Sequence, residues 1–82
     1  MNVELSPNAI KFFNRLNEPM RSRIVAALHK LEHEPPEGDI KALAGEKWFR
    51  VRVGKYRILF AIGETVVRVH EIGLRGQIYK GR

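Results

Sequence analysis

Cysteine is absent from this chain of 82 residues. That removes disulfide scaffolds, thiolate metal centres and thiol nucleophiles from consideration. Long apolar runs are missing too: no stretch approaches the ~20 residues that a membrane-spanning helix needs. The opening Met1-Asn-Val-Glu-Leu5 does not read as a signal peptide. A secreted chain this short usually relies on covalent staples, so the lack of cysteine predicts a cytoplasmic protein without membrane association. Acidic residues are few, nine against fifteen Lys plus Arg, for a formal net charge of +6. That balance favours a polyanion or an acidic protein segment as partner. There is no glycine-rich phosphate loop, no Ser-His-Asp order and no paired carboxylates. Any chemistry must therefore run on arginine, lysine and tyrosine, without metal or cofactor.

What is present falls into two halves of different period. Val3 and Leu5 predict a short opening strand, Ser6 a helix N-cap and Pro7 the first helical position. Ala9, Ile10, Phe13 and Leu16 recur at helical spacing. Asn17-Glu-Pro19 breaks that helix and starts a second, striped by Met20, Ile24, Ala27, Leu28 and Leu31 and ended by Pro35-Pro36, with Glu37-Gly-Asp39 as loop. From Glu46 the period becomes two. Phe49, Val51 and Val53 share one face of a strand, and Arg50 and Arg52 the other. Gly54-Lys55 reads as a two-residue type II′ turn, which pairs Val53 with Tyr56, Arg52 with Arg57, Val51 with Ile58 and Phe49 with Phe60. A second turn at Gly63-Glu64 brings Thr65, Val67 and Val69 beside Ile62, Phe60 and Ile58, and sets His70 opposite Arg57. The expected fold is α+β, an N-terminal strand and helical hairpin packed on one face of a small, mainly antiparallel sheet. The arginine face is expected to stay open to solvent or partner.

Like charges directly opposite in a sheet are destabilising, so the Arg52–Arg57 pair points to a negatively charged partner. Arg50, Arg52, Arg57 and Arg68 are expected to form a face without glutamates for cross-strand pairing, and the planar guanidinium suits bidentate phosphate contact. Tyr79, beside Arg75 and Lys80, has two readings: a ring packed on the sheet edge, or a phenol whose ionisation the cations favour. His29 and His33 stand four apart, but no glutamate directly follows the first of them as the zinc metalloprotease motif requires, and the pair fits favourable interaction with a helix C-terminus, with metal binding as the alternative. Trp48 is read as a packing anchor, with base stacking as the alternative. Arginine, tyrosine and lysine together suit stabilisation of a phosphoryl transition state during RNA cleavage by the neighbouring 2′-hydroxyl.

These residues resemble the RelE/ParE superfamily of toxins from bacterial and archaeal type II toxin–antitoxin pairs, and its RelE branch in particular. The matching parts are the opening strand, the helical hairpin, Leu43-Ala-Gly45, Trp48-Phe-Arg-Val-Arg-Val-Gly-Lys-Tyr-Arg57, the strand Val66–Ile72 and the closing Ile72-Gly-Leu-Arg-Gly-Gln-Ile-Tyr79. They span almost all of residues 1–82, which are expected to form one toxin domain. The RelE resemblance implies a metal-independent endoribonuclease that cleaves mRNA in the ribosomal decoding site and inhibits translation. It implies catalytic roles for Arg57, Arg75, Tyr79 and Arg52, and phosphate binding by Arg50 and Arg52, which Arg68 and Lys80 extend by charge. Leu74 departs from the histidine that many relatives carry before the late arginine, and the Arg75-to-Tyr79 spacing is shorter than in some RelE members. The ParE branch implies instead a non-enzymatic toxin that poisons DNA gyrase by binding. Either branch implies a cognate acidic antitoxin, partly disordered until bound, with operator DNA contacted only through that antitoxin.

Overall fold

The computed structural model describes residues 1–43 and 47–74. Within them the order is β1 (Asn2–Leu5), α1 (Pro7–Asn14), α2 (Met20–Lys30), β2 (Ile40–Ala42), β3 (Phe49–Val53), β4 (Tyr56–Ile62) and β5 (Val66–Leu74). The strands form a sheet in the order β1-β5-β4-β3-β2. β1 runs parallel to β5, and the remaining pairs are antiparallel. This is the expected α+β arrangement, with α1 against β5 and β1, and α2 against β3.

The helix starts follow from local chemistry. Ser6 is extended (φ −64°, ψ 160°), and its hydroxyl oxygen accepts from the Ala9 amide at 3.0 Å while Pro7 fills the first turn. The same hydroxyl donates to the His70 carbonyl at 2.7 Å, so one side chain both caps α1 and ties it to β5. α2 has no side-chain cap at Pro19, but Glu18 accepts from the Ser22 amide at 3.0 Å. The helices are clamped at their junction by Arg21, whose guanidinium lies 4.3 Å from the centroid of the Phe13 ring and donates to the Phe13 carbonyl at 3.2 Å.

One apolar core forms between the helices and the sheet: Ala9, Ile24, Leu31, Val51, Ile58, Phe60, Val67, Val69 and Ile72 are buried together. The predicted stripes supply it, apart from Ile10, which faces outward at 46% exposure. Ile10 sits one residue, or about 100°, past Ala9, and the buried arc of α1 runs through Ala9, Phe12 and Phe13 instead.

Two expectations about the sheet are corrected. Ile40–Ala42 forms the edge strand β2, paired with β3 through Ile40–Val51, Lys41–Arg50 and Ala42–Phe49, where only a loop running to Asp39 was anticipated. Three residues are too few for an alternating pattern to register. The second hairpin also turns one residue later than Gly63-Glu64: Gly63 donates to the Val66 carbonyl at 2.8 Å, and Ile62 pairs with Val67 and Phe60 with Val69. Moving a turn by one residue shifts each pairing by two, which leaves every side chain on its original face. Val67 and Val69 are buried as expected, while Thr65 lies exposed in the turn. Beyond Phe60 the register slips again: Leu59 pairs with Glu71, so His70 is the extra residue of a bulge.

Candidate nucleic-acid interface

The β3–β4 hairpin positions the central arginines. Gly54 has φ +60°, and no described residue other than glycine has positive φ, as a type II′ turn with glycine first requires. The four predicted pairs are all present, Arg52 opposite Arg57 among them. Phe49 and Phe60 stack at 5.7 Å between centroids on the helix side, which pins the register and leaves Arg50, Arg52 and Arg57 on the other side.

That side is not the open surface expected of it. Arg57 is only 4% exposed and Arg50 only 9%, and Leu59, between them on the same side, is fully buried. Arg57 is flanked by Arg52 on one strand and by Gly73 on the other, so the predicted pairing with His70 does not occur. The bulge displaces His70 from that position. Its Nη1 donates to the Tyr56 carbonyl at 3.4 Å. Arg52 remains the accessible member of the pair, with its side chain 47% exposed.

Nor are carboxylates absent from this side. Asp39, just before β2, meets both neighbouring arginines: its Oδ1 lies 3.6 Å from Arg50 and its Oδ2 3.7 Å from Arg52. Its carbonyl accepts from Arg50 Nη1 at 2.8 Å and from the Arg52 amide at 3.1 Å. The preceding Gly38 makes this approach possible, with φ +137° and a position where a Cβ would stand 3.0 Å from Val51 Cγ2. Arg68 likewise has a cross-strand partner, Glu4, at 3.5 Å. Asp39 was missed because its meeting with the arginines depends on β2: only once Ile40 is paired with Val51 does the residue before it fall beside Arg52.

At the far end of the same side, Trp48 and His70 lie 4.8 Å apart between ring centroids, inclined by 41°. The structure therefore brings Arg50, Arg52 and Arg57 together, with Arg68 set apart near β1. Arg75, Tyr79 and Lys80 lie outside the described residues. His29 and His33 are exposed and pair with Glu32 at 3.2 Å and Glu37 at 3.0 Å near the end of α2, away from this group. Among the described residues no cluster of three or more His, Cys, Asp or Glu side chains could hold a metal ion. No described helix is long and apolar enough to cross a membrane.

Chemically, a row of guanidinium groups, two of them held in the protein interior, offers fixed positive charge to a phosphodiester. Comparison with known proteins agrees in fold. The family described as ParE toxin of type II toxin-antitoxin system, parDE, matches residues 3–79. The archaeal RelE–RelB complex from Pyrococcus horikoshii OT3 contains a chain that superposes with a TM-score of 0.78 at 23% identity, covering 93% of this chain and 96% of that one. The RelB–RelE antitoxin–toxin complex from Methanococcus jannaschii gives 0.76 at 21% identity, covering 93% and 94%. The intact RelBE complex from E. coli gives 0.75 at 19%, covering 89% and 94%. No curated protein sequence matches the chain significantly.

Proposed function

We propose that this chain, which belongs to the ParE toxin family of type II toxin–antitoxin systems, acts as a RelE-like endoribonuclease that cuts ribosome-bound mRNA. The observation that carries the reading is the Arg52–Arg57 pair, two like charges opposite each other in a sheet, beside the buried Arg50. Guanidinium groups gathered in this way offer concentrated positive charge to a polyanion. In the reaction, the 2′-hydroxyl attacks the adjacent phosphorus and the bond to the 5′-oxygen breaks. Negative charge grows on the non-bridging oxygens as phosphorus becomes five-coordinate. Arg57, rigid and desolvated, is the group best placed to stabilise that charge, with Arg52 as the accessible contact to the incoming phosphate and Arg50 beside it. A guanidinium that keeps its proton throughout suits electrostatic work rather than proton transfer. Proton transfer falls to Tyr79, with Arg75 and Lys80 assisting phosphate binding, in a segment beyond the described residues. No metal or cofactor enters this scheme.

Several of the similar solved structures are antitoxin–toxin complexes, which supports an antitoxin partner for this chain: an acidic segment able to neutralise the arginine side, contacting operator DNA in the toxin's place. One domain acting in the cytoplasm fits these roles. A second reading is favoured by the family match itself, which carries the ParE name: a non-enzymatic toxin that binds DNA gyrase. Induced expression with mapping of mRNA 5′ ends, and DNA supercoiling followed in parallel, separates the two. New 5′ ends within translated codons are expected. Intact mRNA with gyrase-linked DNA breaks would overturn the nuclease in favour of the second reading.

A further inference from the structure

Beyond the arginines, the same side of the sheet carries a cavity of about 360 Å³ lined in part by Trp48, His70, Arg68, Ala61, Leu5 and Pro7. This is within the range of about 300–1,000 Å³ typical of small-molecule sites. We propose that it is a nucleobase-binding subsite, in which the Trp48 and His70 rings hold one unstacked base of a single-stranded RNA whose backbone crosses the arginines. The proposal rests on the RNA-binding reading above, and adds where and how the strand is gripped.

Three observations converge on a nucleotide. First, alternation along the chain puts Trp48 on the side of Arg50 and Arg52, so a strand laid over Arg52 and Arg50 reaches the indole after about 13 Å. Second, the two rings touch each other, 4.8 Å apart between centroids and inclined by 41°, and both border the cavity. A flat ring seated there stacks on the cavity-facing surface of the pair rather than between its members. Third, the cavity combines apolar lining with an exposed guanidinium, Arg68, whose only described ion pair is a solvent-exposed one with Glu4 at 3.5 Å. A nucleotide supplies both counterparts, a base for the rings and a phosphate for the guanidinium. Stacking tolerates any base because each has a π-face, so the subsite adds grip without adding sequence preference. An aromatic side chain of an acidic protein would satisfy the rings too. Continuity with the buried arginines favours the nucleic acid, since their guanidinium geometry matches phosphate.

Trp48 is the sole tryptophan, so the protein's indole fluorescence reports on this cavity alone. The experiment titrates the free protein with an uncleavable 2′-O-methyl oligoribonucleotide and with an abasic oligonucleotide of equal length, following fluorescence and anisotropy together. The base-bearing strand is expected to quench Trp48, and the abasic strand to bind more weakly without quenching. Trp48→Leu should weaken the base-bearing strand about 5- to 150-fold and leave the abasic strand unchanged. His70→Ala, at an exposed position, repeats the test with the tryptophan itself retained. Equal affinity for both strands, or quenching by an acidic aromatic peptide and not by RNA, overturns the subsite while the arginine site stands. Failure of both strands to bind overturns the RNA-binding reading with it.

Discussion

Asp39→Asn is the most discriminating perturbation of the arginine group. The substitution keeps the backbone carbonyl that accepts from Arg50 and from the Arg52 amide, so it removes charge and leaves the scaffold in place. Two ion contacts are lost, at 3.6 and 3.7 Å. Point charges 4 Å apart near a protein surface attract by about 4 kcal/mol, but the Asp39 side chain is 61% exposed. Solvent screening brings each contact down to roughly 0.2–1 kcal/mol. A phosphate that binds both arginines must displace this carboxylate, and in the variant it no longer has to. The expected gain in affinity for an uncleavable oligoribonucleotide is therefore about 2- to 30-fold, shrinking as salt rises. Fluorescence anisotropy at two ionic strengths, with circular dichroism to confirm folding, measures it. A folded Asp39→Asn protein that binds RNA more weakly than wild type would refute the argument, because the carboxylate would then be aiding the ligand rather than competing with it.

Three further outcomes are expected. Arg57→Met retains most of the buried volume and removes the charge, so RNA cleavage should fall by about 10²- to 10³-fold, the loss typical of one preorganised oxyanion donor, with the thermal midpoint nearly unchanged; undiminished cleavage by the folded variant removes Arg57 from the mechanism. Gly38→Ala forces a Cβ to 3.0 Å from Val51 at φ +137° and should destabilise the fold by roughly 1–3 kcal/mol, read from urea unfolding, while loosening Asp39. Hydrogen bonds from Ser22 hold the Glu18 carboxyl below the ordinary carboxylate range, so its contribution to stability is present above the unfolded-state pKa and lost as pH falls through the lower folded value. Wild type should accordingly melt above Glu18→Ala at neutral pH, and the gap should close in acid; a gap that persists below the folded pKa rejects the assignment.

The parts of this fold legible in the sequence are those where one local rule decides the outcome. Ser6-Pro7 opens a helix because one side chain and one fixed φ suffice. Gly54-Lys55 sets the register of the central hairpin because the turn alone dictates which residues face each other. The second turn lay one residue away from its expected place, yet the core composition survived, since a shift of two in pairing preserves the pleat. The depth of Arg50 and Arg57, by contrast, was illegible. Burial of an outward strand position depends on what lies over it, and neither the strand pattern nor its charges encode that. Asp39 was hidden for the same reason: it comes from a loop whose path depends on Gly38 and on a strand too short to show a period.

These unanticipated features change how the site must work. An open row of arginines would bind any polyanion with little preorganisation, because flexible solvated guanidiniums reorganise around each ligand. Buried guanidiniums behave differently: Arg50 is fixed by the Asp39 carbonyl at 2.8 Å, and Arg57 lies against its own strand. Their positions are set by folding, so the energetic cost of assembling like charges falls on the folded state rather than on the reaction. Catalysis by charge stabilisation depends on donors that do not have to move when charge develops. Only Arg52, half exposed and opposite Arg57, keeps the freedom to meet an arriving phosphate. The division follows from the sheet itself. The helix-facing residues of β3 and β4 supply the apolar core that holds the strands in register, and the register in turn presses the opposite-facing arginines together.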